Sequence, residues 1–291
     1  MSTGIQGTYL PGVLLRREPR DAGVPLVFDI PRTGAEYPRE FRSPAPFDDV
    51  KSSISMYLET LFDAAPEHGA GWIFACFPNA YIDANRHETD IDPNLIESAR
   101  PDEFSPTQRS ELGVGLIHGV TDAGGAPLQQ IQLSCADLDR RLNDFYWPYD
   151  NALADMIRAR RDAHGTAYHV SCHSMAYVAR KVSVDAGAPR SDFDIGDGYG
   201  KTCDPAFVAA AVECLSGLGY NVTVNKHFAG AESIHKHGDP ANGIHGLQIE
   251  TKRGLYMDEV TYANRPEFEK VQSDLGTLCR HLSDFARSVA T

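Results

Sequence analysis

Short runs rich in β-branched and aromatic residues, each bounded by turn-forming residues, alternate along this chain with stretches of helical periodicity. No other feature constrains the fold as strongly. The runs fall at residues 25–30, 71–77, 113–117, 167–171, 192–195, 220–224 and 246–251, and each predicts a strand. Within residues 137–162, Leu138, Leu142, Phe145, Tyr149, Leu153 and Met156 recur every three or four positions, the stripe of an amphipathic helix. Pro148 lies inside that stretch and predicts a kink. Further helices are predicted at 48–64, at 204–216 behind an Asp204 cap, and at 266–288. Strands and helices in alternation imply an α/β fold, with a mostly parallel or mixed central sheet and helices on both faces. Ligands of such sheets sit beyond the carboxyl ends of the strands, where several polar segments of this chain begin.

With 291 residues, 42% of them hydrophobic, the chain can bury a large core, and one domain over residues 1–291 is expected. The net charge of -13 argues against a nucleic-acid partner, which needs clustered Lys and Arg to displace counterions. It does not argue against a small anionic ligand, because a few arginines focused in one cleft suffice. No apolar run approaches the roughly 20 residues that span a bilayer, and the first residues lack the order of a signal peptide, so no membrane partner and a cytoplasmic location are expected. The six cysteines are scattered without a C-x-x-C pair, which fits free thiols better than a disulfide framework or a structural zinc site.

Several segments carry candidate chemistry. AYHVSCHSM brings His169 and His173 to the end of a predicted strand, where a histidine can bind a metal, carry a proton, or fill a capping or core position. His169 is expected to point into the sheet. Glu250 ends another apolar run; in a half-buried cleft its pKa would rise and suit it to general base and acid work, whereas on the surface it would pair with Arg253. Asn85 and Arg86, in YIDANRHETDIDP, offer a bidentate fork with a neutral donor beside it for a substrate carboxylate; the alternative is an ion pair of Arg86 with Asp83, Asp90 or Asp92. FDIPRTGAEYP holds Asp29, Arg32 and Glu36 on a loop stiffened by Pro31, Gly34 and Pro38. DFDIGDGYGKTCDP is Gly-rich but has neither nucleotide-binding spacing, so its glycines serve turns or close backbone approach. His227, His235, His237 and His245 crowd a late loop without forming a complete metal site by spacing.

These segments, with LGVGLI, YWPYDNAL and GIHGLQIETKRGLYMDE, stand in the order found in the N-formylglutamate amidohydrolase family, which the chain resembles over roughly residues 25 to 260. The resemblance implies a zinc-carboxypeptidase-like fold, a divalent metal (zinc), and hydrolysis of N-formyl-L-glutamate to formate and L-glutamate in a histidine-degradation route. It also implies His173 as a metal ligand, Glu250 as general base and acid, and Asn85 with Arg86 as the clamp on the substrate α-carboxylate, joined by Arg253. One position departs from the pattern. Where members of the family carry Pro-His-Ser-Gly, this sequence has Pro31, Arg32, Thr33 and Gly34. A guanidinium has no lone pair to give a cation. Either Glu36, His173 and a late-loop histidine hold the metal, or the site has lost it and Arg32 takes a catalytic role as a fixed positive charge. Two further readings are a covalent nucleophile at Cys172 or Ser174, and a metal-depleted, non-catalytic binder of acyl amino acids or other small carboxylates.

Overall fold

In the computed structural model, residues 4–98, 101–122, 125–178 and 187–290 are described. Eight strands form one mixed sheet: β1 (Ile5–Leu10), β2 (Leu14–Pro19), β3 (Leu26–Ile30), β4 (Gly71–Ala75), β5 (Ala167–Met175), β6 (Phe193–Gly196), β7 (Val222–Val224) and β8 (Ile244–Lys252). Their order is β1-β2-β4-β3-β5-β8-β6-β7. The centre, β4-β3-β5-β8, is parallel, while β1, β2 and β6 join it antiparallel. The helices are α1 (Phe47–Lys51), α2 (Leu58–Leu61), α3 (Gln108–Glu111), α4 (Cys135–Arg141), α5 (Trp147–His164), α6 (Pro205–Gly217), α7 (Glu232–Lys236) and α8 (Phe268–Val289).

Alternation along β3 divides the core. Leu26, Phe28 and Ile30 face a cluster with Leu58, Phe207, Leu275 and Leu282 of α2, α6 and α8. Val27 faces the opposite cluster, built on Tyr149, Leu153, Met156 and Ile157 of α5. Helices thus cover both faces, as expected, and each buried strand reads as an unbroken apolar run.

Three expectations need correction. Residues 113–117 form only an isolated bridge, Val114 to His118, because Gly113 turns the chain at φ +80°. The helix expected at 48–64 breaks in two: Ser52 and Ser53 hydroxyls bond back to the carbonyls of Asp49 and Val50, and Tyr57 takes φ +68°. The single helix expected at 137–162 is interrupted by a π-helical turn over Leu142–Tyr146, and Pro148 falls in the first turn of α5 directly after it. The hairpin β1-β2, whose turn holds Pro11 and Gly12, escapes the pattern because most of β1 is exposed and β2 carries charges.

The loop after β3 is pressed onto the end of β4. A Cβ at Gly34 would lie 2.3 Å from the Phe77 carbonyl oxygen and 2.4 Å from the Cys76 carbonyl carbon, both backbone. Gly34→Ala is therefore expected to cost about 1–3 kcal/mol, as overpacking does, measured by urea unfolding; unchanged stability would mean that the loop is not seated as described.

Candidate active site

Four parallel strands deliver the site at their carboxyl ends. Arg32 follows β3, Asp83 to Arg86 lie in the loop beyond β4, His173 is on β5, and Glu250 sits opposite His173 in the β5–β8 register. A cavity of about 510 Å³ opens there, within the range of small-molecule sites, and Arg32, Asn85, Arg86, His173, Glu250 and Arg253 all line it. Arg109, Arg190, His227 and His235 add to the wall. Five arginines of an acidic chain thus meet in one cleft.

Asp83 organises the centre. Its buried carboxylate takes Arg32 Nε at 3.0 Å on Oδ1 and Arg32 Nη2 on Oδ2, together with His118 Nε2 at 3.1 Å and the Asn85 backbone N–H at 3.0 Å. Burial opposes the charge, but Arg32, the His118 bond and Arg86 hold Asp83 well below the usual carboxylate range. Burial likewise opposes the Arg32 charge, and Asp83 outweighs it, so the guanidinium stays protonated.

The substrate-clamp candidates are partly committed within the protein. Arg86 donates from Nε to the Val114 carbonyl at 3.1 Å and from Nη1 to its neighbour's carbonyl at 3.0 Å, which orients Nη2 as its free end. None of the expected acidic partners takes it: Asp83 holds Arg32, Asp90 bonds Thr107, and Asp92 caps Asn94. Burial, then the neighbouring Arg32, lowers Arg86 to about 10, still charged at neutral pH. Arg253 is buried and donates to Ser174 Oγ at 2.9 Å and the Ser52 carbonyl at 2.7 Å, so it is no surface partner of Glu250.

Glu250 is 6% exposed and accepts from Gln248 Nε2 at 3.0 Å. Burial raises it, Arg32 pulls it down, Asp194 on the neighbouring strand pushes it up, and Arg190 and Arg253 pull it down; the outcome is about 7. Asp194 itself anchors the loop above, accepting from Thr223 Oγ1 at 2.6 Å and the N–H groups of His227 and Phe228 at 2.7 and 2.8 Å. Gln248, Asp194 and Asp83 were missed as organisers; an i, i+2 relation to Glu250 was the available signal for Gln248.

The donor set does not match the zinc site that the resemblance implies. Asn85 Nδ2 can only donate, and it lies 2.9 Å from His173 Nε2, so that nitrogen's lone pair is already used; Ser171 Oγ lies 3.0 Å from the same atom. Burial and Arg32 push His173 down to about 3, which keeps it neutral. Glu36 is exposed outside the cavity, bonded to Tyr9 Oη and the Gly12 N–H. Among the late histidines, His237 pairs with Asp150 at 2.9 Å and His245 stacks on Tyr168, while His227, whose Nε2 accepts the Ser191 N–H at 3.3 Å, and His235 line the cavity. Among the described residues, no three His, Cys, Asp or Glu side chains are grouped to hold a cation. These residues do not fit zinc.

Nor do they build a covalent nucleophile. Cys172 is fully buried on the opposite face from His173, and burial drives its thiol well above the ordinary value, while Ser174 Oγ serves Arg253. His169 points into the sheet as expected, 2.6 Å from Asp29. In the second Gly-rich loop, Gly198, Tyr199 and Gly200 all take positive φ and project the exposed Tyr199 over the cavity.

Comparison with known proteins gives the family. N-formylglutamate deformylase of Pseudomonas putida is 26% identical over 81% of this chain and 83% of its own. The enzyme of the same name from Pseudomonas aeruginosa is 28% identical over 70% of each. The crystal structure of N-formylglutamate amidohydrolase from Ralstonia eutropha superposes with a TM-score of 0.89 at 31% identity, covering 95% of this chain and 99% of that one. The family model for N-formylglutamate amidohydrolase matches residues 24–257, which span every cavity residue named above, and the chain belongs to that family.

Proposed function

We propose that this protein is an amidohydrolase of small N-acyl amino acids, with N-formyl-L-glutamate, cleaved to formate and L-glutamate, as its first substrate and histidine degradation in the cytoplasm as its setting. The observation that carries the reading is Glu250, a buried carboxyl raised to about 7 in a cavity walled by arginines. A carboxylate of that basicity takes a proton from water near neutral pH, and as the acid returns it to the departing amine. Arg86 grips the substrate α-carboxylate with its free Nη2, and the second N–H of Asn85 Nδ2 joins it. Arg253 adds charge deeper in the wall, and Arg32 faces the acyl group. Release of acid from a panel of N-formyl and longer N-acyl glutamates and aspartates, with zinc, manganese or no added metal, tests the assignment; no turnover on any of them would contradict it.

The pH profile follows from the same groups. Glu250 must be ionised to act as base, so kcat/KM is expected to rise about tenfold per pH unit below about 7 and level off above it. It falls again only near about 10, as Arg86 loses its proton. His173, down at about 3, contributes no limb between. A profile flat from pH 5 to 8 would remove Glu250 from the role.

A further inference from the structure

We infer that the hydrolysis proposed above runs without a bound metal, and that the Arg32 guanidinium is the fixed electrophile facing the acyl oxygen. The inference rests on the amidohydrolase reading and on the disagreement between this donor set and the zinc its family resemblance implies. Arg32 occupies the motif position of the expected histidine ligand and shares the cavity with Glu250 and His173. The Asp83 fork takes Nε and Nη2, and this leaves the Nη1 amine, with two N–H groups, for a ligand.

The charge is held rigidly. Asp83 is itself fixed by His118 Nε2 and by the Asn85 N–H, so the guanidinium plane is set from below by buried partners. A preorganised cation of this kind needs no reorganisation when negative charge develops beside it. It also opposes a second cation at the same place, because like charges a few ångströms apart in a half-buried cleft repel strongly. Of the cavity's imidazoles, His173 has its Nε2 lone pair engaged by Asn85 and His227 Nε2 accepts the Ser191 N–H at 3.3 Å, and among the described residues no three His, Cys, Asp or Glu side chains are grouped to hold a cation.

The step balances with water as the sole co-reactant. Water oxygen attacks the acyl carbon while Glu250 takes one of its protons, and the carbonyl π pair moves to the acyl oxygen opposite Arg32 Nη1. Glu250 then passes the proton to the amide nitrogen, the C–N bond breaks, and a carboxylic acid and a free amine leave.

Two arms test this. In the first, wild-type protein purified without chelator is analysed for metal, titrated with zinc by calorimetry, and assayed before and after treatment with 1,10-phenanthroline. Metal well below one per chain, no saturable zinc binding and unchanged turnover are expected; stoichiometric zinc with chelator-sensitive turnover would overturn the inference. Metal content and calorimetry are read even if no substrate turns over, an outcome that would overturn the hydrolase reading, while stoichiometric zinc would still overturn this one. In the second arm, Arg32→Ala is expected to lower kcat on the order of 10²–10³-fold with a smaller change in KM, and added guanidinium at millimolar concentration should restore part of kcat. Wild-type kcat in Arg32→Ala would overturn the role. Should that variant misfold, Arg32→Lys, which keeps the charge but loses the fork, is expected to retain intermediate activity.

Discussion

Glu250→Gln should lower kcat by about 10²–10⁴-fold, the usual worth of a positioned general base, while leaving the fold intact. The amide is the same size as the carboxyl, and its oxygen can still accept from Gln248 Nε2, now at 3.0 Å from Glu250 Oε1. KM should change little, since Glu250 acts on water and the leaving amine rather than on the substrate carboxylate. The variant should also lose the rising limb near pH 7, because the group that titrates there is gone. Steady-state rates across pH 5 to 9 for both proteins check it, and retention of the limb would assign it to another group.

Asp83→Ala should cost about 3–5 kcal/mol of stability, the penalty for removing one partner of a buried ion pair. Without Asp83, the Arg32 charge faces Arg86 without its hydrogen-bonded counterion, and His118 Nε2 and the Asn85 N–H lose their acceptor. Asp83→Asn keeps an acceptor oxygen and should cost less. The sign of the pH dependence follows from the depressed pKa: the carboxylate's stabilisation is present above the ordinary Asp value and is lost as pH falls through the folded-state value. Denaturant unfolding of the three proteins at pH 7 measures the ranking, and a loss below about 1 kcal/mol for Asp83→Ala would show the cluster to be peripheral.

Much of this architecture was legible because the central strands are buried on both faces. β3, β4, β5 and β8 read as apolar runs closed by turn residues, and the α/β order followed. β1 and β2 were not legible, since an edge hairpin with exposed and charged positions has no apolar period; only its Pro11-Gly12 turn gave a sign. The serines that break residues 48–64 act through local side-chain bonds that hydrophobic periodicity does not register.

The site divides in the same way. Arg32, Asn85, Arg86, His173, Glu250 and Arg253 could be chosen from the sequence because each sits at a strand end or in the loop that follows one, and all six line one cavity. Glu36 had the same credentials, yet its carboxylate turns outward to β1 and the hairpin turn. Pairing was the illegible part. Asp83 stands three residues from Arg86 but bonds Arg32, 51 residues away, and that choice belongs to how β3 and β4 lie side by side. The donor set departs from the zinc expectation for a related reason: His173 is where a ligand would be, but Asn85, 88 residues earlier, lies against its Nε2.

Formate and L-glutamate released from N-formyl-L-glutamate by the wild-type protein, quantified together with Glu250→Gln as the control, test the central claim most directly. The account predicts equal molar amounts of the two products from the wild type and a rate lower by at least about 10²-fold from the variant. No release by the wild type, or equal release by both proteins, would contradict it.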